Sequence, residues 1–143
     1  MPIMQNVIKM VTNRMPKVIS PTTHAVIDYA TAASFIGMGV FLWKRNKRAA
    51  MASLICGAAE AASSMVTDYP GGVWKLMSFR VHGGIDIGMA TLVSSMPGMM
   101  RFEDANSARF FTVQGMNIAA VTGLTDFEGS GEARQFERLE RVA

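Results

Sequence analysis

The two histidines of this 143-residue chain each stand one helical turn before an aspartate: His24 before Asp28, and His82 before Asp86. On a helix, residues four apart share a face, so each carboxylate can orient its imidazole or stabilise the charged form. Three chemistries are open to such a pair of pairs. Each can be a satisfied hydrogen-bonded unit that ties helices together. Two histidines with two or three carboxylates also make a ligand set for a divalent transition metal, or a relay for cations or protons. Finally, His24 and His82 can hold a haem or similar tetrapyrrole between them, with Gly57, Gly83 and Gly84 leaving room. Against the haem, an aspartate one turn away is better suited to holding a neutral imidazole than to lining a porphyrin slot. The spacing is unlike His-Glu-x-x-His. No nucleophile constellation, phosphate loop or dinucleotide fingerprint is visible, so an enzyme is not expected.

The elements that must position these residues are hydrophobic. Half the chain is apolar and 17% is charged, below the roughly 25% of ordinary soluble proteins. Four segments, near 21–43, 48–67, 79–100 and 107–125, are almost free of charge. Each approaches the roughly 20 residues that cross a bilayer as a helix. Ser20-Pro21 reads as an N-cap followed by proline in the first helical turn. Lys44–Arg48 forms a short basic turn, Asp68-Tyr-Pro-Gly-Gly72 breaks the chain, and Pro97-Gly98 ends or kinks the third segment. Residues 2–15 repeat apolar side chains at helical spacing up to Pro16, as an amphipathic helix at a membrane interface does. From Glu128 the tail is charged and reads as solvated.

The chain also repeats itself. A shift of 58 residues, the separation of the two histidines, aligns His24 with His82 and Asp28 with Asp86. It also aligns Ser20 with Ser78, Gly57 with Gly115, and Thr67-Asp68-Tyr69 with Thr125-Asp126-Phe127. Such a period marks duplicated architecture. The shared residues fall on one face of each helix, which predicts that the two hairpins pack there about a pseudo-twofold axis along the membrane normal. Gly57-x-x-x-Ala61, Gly84-x-x-x-Gly88 and Gly115-x-x-x-Ala119 suit close helix packing.

The order His24-Ala-Val-Ile-Asp-Tyr29, Thr-Asp-Tyr69, His82-Gly-Gly-Ile-Asp86, Met96-Pro-Gly98 resembles the SPW-repeat family of small bacterial membrane proteins, over about residues 20–127. The Ser-Pro-Trp signature itself is missing; Gly37-Met-Gly39 and Ser95-Met-Pro97 stand in its place. The resemblance implies a fold and a multi-pass location in the bacterial cytoplasmic membrane, and no activity.

The expected architecture is therefore all-α, a four-helix transmembrane bundle made of a duplicated hairpin. An interfacial helix (1–19) precedes repeat one (20–72) and repeat two (78–127), and a charged tail (128–143) follows. Asp28 lies about 12 Å below the start of its helix at 1.5 Å per residue. Glu60, eight residues before Asp68, which ends the second helix on that same side, reaches the same depth, and Ile118 occupies its place in the second repeat. Asp28, Asp86 and Glu60 are thus expected beneath a mouth lined by His24, His82, Asp68 and Asp126. An ionisable group inside a bilayer marks a functional site by default. Cys56, lone and in an apolar stretch, reads as a small core residue, and the dispersed methionines read as filler. Trp43 and Trp74 read as interfacial anchors. No basic stripe interleaved with aromatics suggests nucleic acid. The expected partners are the bilayer and other membrane subunits or a second copy, in a structural or accessory role. A cation, proton, metal or haem site is the alternative, and a soluble metal-binding bundle is a further one.

Overall fold

The computed structural model describes residues 15–127 and residue 142. Among the described residues the chain is all-helical apart from two very short strands. The order is α1 (Pro21–Leu42), α2 (Lys47–Val66), β1 (Thr67–Asp68), β2 (Met77–Ser78), α3 (Phe79–Met99) and α4 (Ala105–Leu124). The expected interfacial helix and the charged tail lie almost wholly outside the described residues. Helices α1 and α2 are long and apolar enough to cross a membrane.

The duplication is visible in the caps. Ser20 accepts the amide N–H of Thr23 at the start of α1, and Ser78 accepts that of Val81 at the start of α3. Asn46 and Asp104, which the shift of 58 also aligns, cap α2 and α4 through the N–H groups of Ala49 and Ser107. The two caps then meet, Asn46 Nδ2 donating to Asp104 Oδ2 at 2.5 Å. At the other end β1 pairs with β2 in parallel, Thr67 against Met77. The equivalent bridge joins Ile19 to Thr125. In both, the end of one hairpin is stitched to the start of the other.

Packing follows side-chain size. Within each hairpin the helices approach through glycine. An added Cβ at Gly57 would lie 3.0 Å from the Ala32 carbonyl oxygen, and one at Gly115 would lie 2.9 Å from that of Ala90. Gly57 and Gly115 thus close their own hairpins instead of joining the two hairpins as the shared-face argument predicts. Larger side chains from all four helices, Phe35, Cys56, Val93 and Phe111 among them, fill the space between hairpins. Gly84 and Gly88 have open space beside them, so the second small-residue motif packs against no described helix. Helix α3 runs on past Pro97 and ends two residues later, at Met99.

Candidate metal centre

His24 and Asp28 project from the second and third turns of α1, and His82 and Asp86 from the same turns of α3. The four meet between the hairpins, on the pseudo-twofold axis. Both histidines are fully buried at 0% exposure, with Asp28 at 4% and Asp86 at 2%. His24 Nε2 lies 3.3 Å from Asp28 Oδ1 and 3.2 Å from Asp86 Oδ2. His82 Nε2 lies 3.1 Å from Asp28 Oδ2 and 3.3 Å from Asp86 Oδ1. Each imidazole therefore stands between its own aspartate and that of the other repeat, and one ligand atom from each residue falls within a 4.8 Å sphere of mutual distances.

The other face of each imidazole decides its tautomer. His24 Nδ1 lies 2.7 Å from Thr125 Oγ1, and His82 Nδ1 lies 2.9 Å from Thr67 Oγ1. Both threonines already donate their hydroxyl protons one turn back, to the carbonyls of Val121 and Ser63, at 2.7 Å each. Each threonine hydroxyl can then only accept, which assigns the proton to Nδ1 of His24; at His82 the Ser63 hydroxyl shares Nδ1 at 3.0 Å, and a protonated Nδ1 serves both oxygens. Nε2 is left facing the carboxylates, either as a lone pair or with a second proton. The contacts cross between repeats: each histidine is anchored by the threonine at the end of the other hairpin.

Aromatic rings close the site on the strand side. Phe79 packs on His24 at 5.1 Å and on Phe127 at 4.6 Å between ring centroids, and Tyr69 lies 5.4 Å from His82. The Tyr69 hydroxyl donates to Asp28 Oδ2 at 2.9 Å. Removal from water pushes the Tyr69 phenol well above the usual tyrosine range, and the Asp28 charge reinforces this. Phe127, aligned with Tyr69 by the repeat, has no hydroxyl. On its side Asp86 Oδ1 is buried, and no donor approaches it with hydrogen-bonding geometry.

The structure thus brings together His24, Asp28, His82 and Asp86 and distributes the other expected residues differently. Glu60 is buried, at 2% exposure, within electrostatic range of Asp86, Asp28 and His82, but outside the four-residue group. The histidines sit level with the aspartates under the aromatic cap instead of lining a mouth above them. Asp68 is turned to the surface, where Lys75 pairs with it at 3.0 Å. Asp126 anchors backbone, its N–H donating to the Ile19 carbonyl. Thr67, Thr125 and Tyr69 are hydrogen-bond partners of the cluster that residue-type reasoning passes over, although the repeated Thr-Asp-aromatic triplet is a signal for them.

Fold and site together define a class: an all-helical duplicated hairpin with a buried two-histidine, two-aspartate centre on its internal axis. No family model, curated protein or solved structure matches the chain.

Proposed function

We propose that this chain is a small, non-enzymatic integral membrane protein. In this reading its two hairpins are stapled by a divalent transition metal held by His24, Asp28, His82 and Asp86. The observation that carries the reading is Asp86 Oδ1, a buried carboxylate oxygen at the centre of the cluster that lacks a hydrogen-bond donor. Were both Nε2 atoms protonated, the cluster would be a neutral ion-pair quartet, and this oxygen would have the His82 nitrogen at 3.3 Å but no aligned hydrogen bond, a deficit of about 1–3 kcal/mol. A cation at the centre satisfies it.

The donor set supports the same reading. Nε2 of a histidine that donates from Nδ1 is the usual metal-binding arrangement, the second hydrogen bond holding the ring in place. In a regular tetrahedron with bonds of about 2.0–2.1 Å, neighbouring ligand atoms lie about 3.3 Å apart. Each imidazole nitrogen lies 3.1–3.3 Å from an oxygen of both carboxylates, and one atom from each of the four residues lies within 4.8 Å of the others, so the side chains need close only slightly around an ion. Two carboxylates neutralise a dication, which a low-dielectric interior requires. Four protein ligands leave no open coordination position, the property that separates structural from catalytic zinc sites. A porphyrin does not fit: both Nε2 atoms converge on the same carboxylates, and the imidazole centroids are 5.4 Å apart at 74°. Axial ligands would have to face each other across an open slot.

Membrane insertion of all four helices is supported by the repeat. Helices α3 and α4 copy the register of the two span-length helices, and they carry exposed Val81, Leu92, Val113 and Met116. The resemblance to the SPW-repeat family implies the same multi-pass placement in a bacterial cytoplasmic membrane.

The test is elemental analysis of the full chain extracted in mild detergent. About one zinc-class ion per chain is expected, lost in Asp86→Asn and in His24→Ala, and kept in Glu60→Gln. A chain that carries no metal and binds none on titration would show the quartet to be an ion-pair network. Release from membranes by carbonate without detergent would exclude spanning helices.

A further inference from the structure

The end of the bundle opposite the metal centre has a different chemistry. Between the α1–α2 and α3–α4 turns lies a cavity of about 610 Å³ whose lining includes Arg45, Lys47, Arg48 and Arg101. Two carboxylates, Glu103 and Asp104, share it. Asp104 is already committed: it accepts the Ser107 N–H at 2.7 Å and the Asn46 amide at 2.5 Å. Those bonds hold its carboxyl below the usual range. Among the described residues none of the four cations has a carboxylate within ion-pair distance. Instead two of them stand over aromatic faces, Arg45 at 4.5 Å from the Phe41 centroid and Lys47 at 3.4 Å from that of Trp43. Cations held this way keep their charge available to an anion.

A second feature adjoins the first. Val40, Phe41 and Leu54 line a groove of about 570 Å³ along the side of α1 and α2, and Phe41 and Arg45 belong to both spaces. Val40 and Phe41 are exposed, at 68% and 58%. The groove, which Trp43 and Lys44 also line, therefore adjoins the basic cavity through Phe41 and Arg45 and reaches Leu54, about two turns into α2. A free phosphate has no use for it. An acyl chain does.

We propose that this end of the bundle binds one anionic phospholipid, its phosphate in the cavity beside Arg45, Arg48 and Arg101 and an acyl chain along the Val40–Leu54 groove. A basic pocket at the membrane surface is the standard means of holding such headgroups, and arginine forks match phosphate oxygens. The site is independent of the metal centre. It does rest on the bilayer placement, since only there does the groove meet acyl chains. Carbonate release of the chain would remove that placement, whereas lipid selectivity measured in detergent reads the site itself.

The experiment is native mass spectrometry of the full chain in detergent, titrated with phosphatidylglycerol or phosphatidylcholine. Phosphatidylglycerol is expected to be retained at least tenfold more than phosphatidylcholine. The combined Arg45→Gln, Arg48→Gln, Arg101→Gln variant should lose that preference. The corresponding three-lysine variant should keep most of it, and raised salt should weaken retention by the unchanged chain, so a folding failure of the glutamine variant leaves the proposal testable. Equal retention of the two lipids, or selectivity that survives the glutamine substitutions in a folded chain, overturns it. Inorganic phosphate that displaces the lipid at equal concentration would assign the cavity to a free phosphate and overturn the role of the groove.

Discussion

His24 and Thr125 belong to opposite halves of the chain, yet Nδ1 of one and Oγ1 of the other lie 2.7 Å apart. The threonine hydroxyl proton is directed at the Val121 carbonyl, so the imidazole must be the donor. This one contact does two things. It joins the start of the first hairpin to the end of the second, and it turns the other ring nitrogen, Nε2, toward the carboxylates. The pair His82 and Thr67 repeats it across the axis.

Thr67→Val and Thr125→Val test this positioning role. Valine keeps the shape and removes the acceptor, so the Nδ1 proton is no longer favoured and the ring loses its tether. Metal affinity is expected to fall about 10–100-fold, the usual effect of removing such an outer partner. The helical content measured by circular dichroism should be unchanged. Unaltered affinity in the double variant would mean that the tautomer is set elsewhere.

Much of this arrangement is legible in the sequence, but not its crossings. Long uncharged runs bounded by Lys44–Arg48 and Asp68–Gly72 define the helices, because a helix end needs polar or flexible residues and a helix body in an apolar setting excludes them. The shift of 58 predicts equivalent positions and so puts the two His/Asp pairs at one level. It cannot say which aspartate each histidine meets: spacing reports neighbours along one helix, and each imidazole contacts an aspartate from both. The glycines show the same limit. Gly57 and Gly84 each begin a small-residue motif, but one is pressed against the Ala32 carbonyl and the other faces open space. The difference lies in which face the neighbouring helix covers.

Gly57→Val and Gly84→Ala should therefore behave in opposite ways. The first drives a branched side chain toward Ile36, the Ala32 carbonyl and Phe35. Overpacking of this kind costs about 1–3 kcal/mol or more. The second meets nothing within 4 Å and gains helix propensity of up to about 1 kcal/mol. Thermal unfolding in detergent, followed by circular dichroism, measures both. A destabilised Gly84→Ala chain would show that its face is covered, for example by a second copy.

Tyr69 supplies a pH prediction at the alkaline end. Its phenol is raised above the ordinary tyrosine range by burial first and the neighbouring Asp28 charge second. A raised value means that the folded state holds the proton more tightly than the unfolded state. The resulting stability is fully present below the ordinary tyrosine value of about 10, and it is lost as pH rises toward the folded value. Tyr69 should therefore add nothing to the tyrosinate absorbance at pH values just above 10 while the protein stays folded. Tyr69→Phe should leave that absorbance unchanged and lower stability by about 1.5–3 kcal/mol, the value of a hydrogen bond to a charged acceptor.

At the opposite end of the bundle the sign reverses. Asp104 is held below the usual carboxylate range, by the Ser107 backbone N–H first and the Asn46 side chain second. A lowered value means that the folded state favours the charged form. Its contribution is present above about pH 4, the ordinary carboxylate value, and fades as pH falls through the lower folded value. Asp104→Ala removes both the cap of α4 and the tie to the cap of α2, at an expected cost of about 1 kcal/mol near neutral pH. Below the folded value the variant and the unchanged chain should converge in stability. The comparison belongs in buffer without added metal, because a metal held as proposed would be released as the aspartates of the cluster protonate and would mask the convergence. A gap that persists undiminished into strong acid would show that packing, and not the carboxylate, holds this end together.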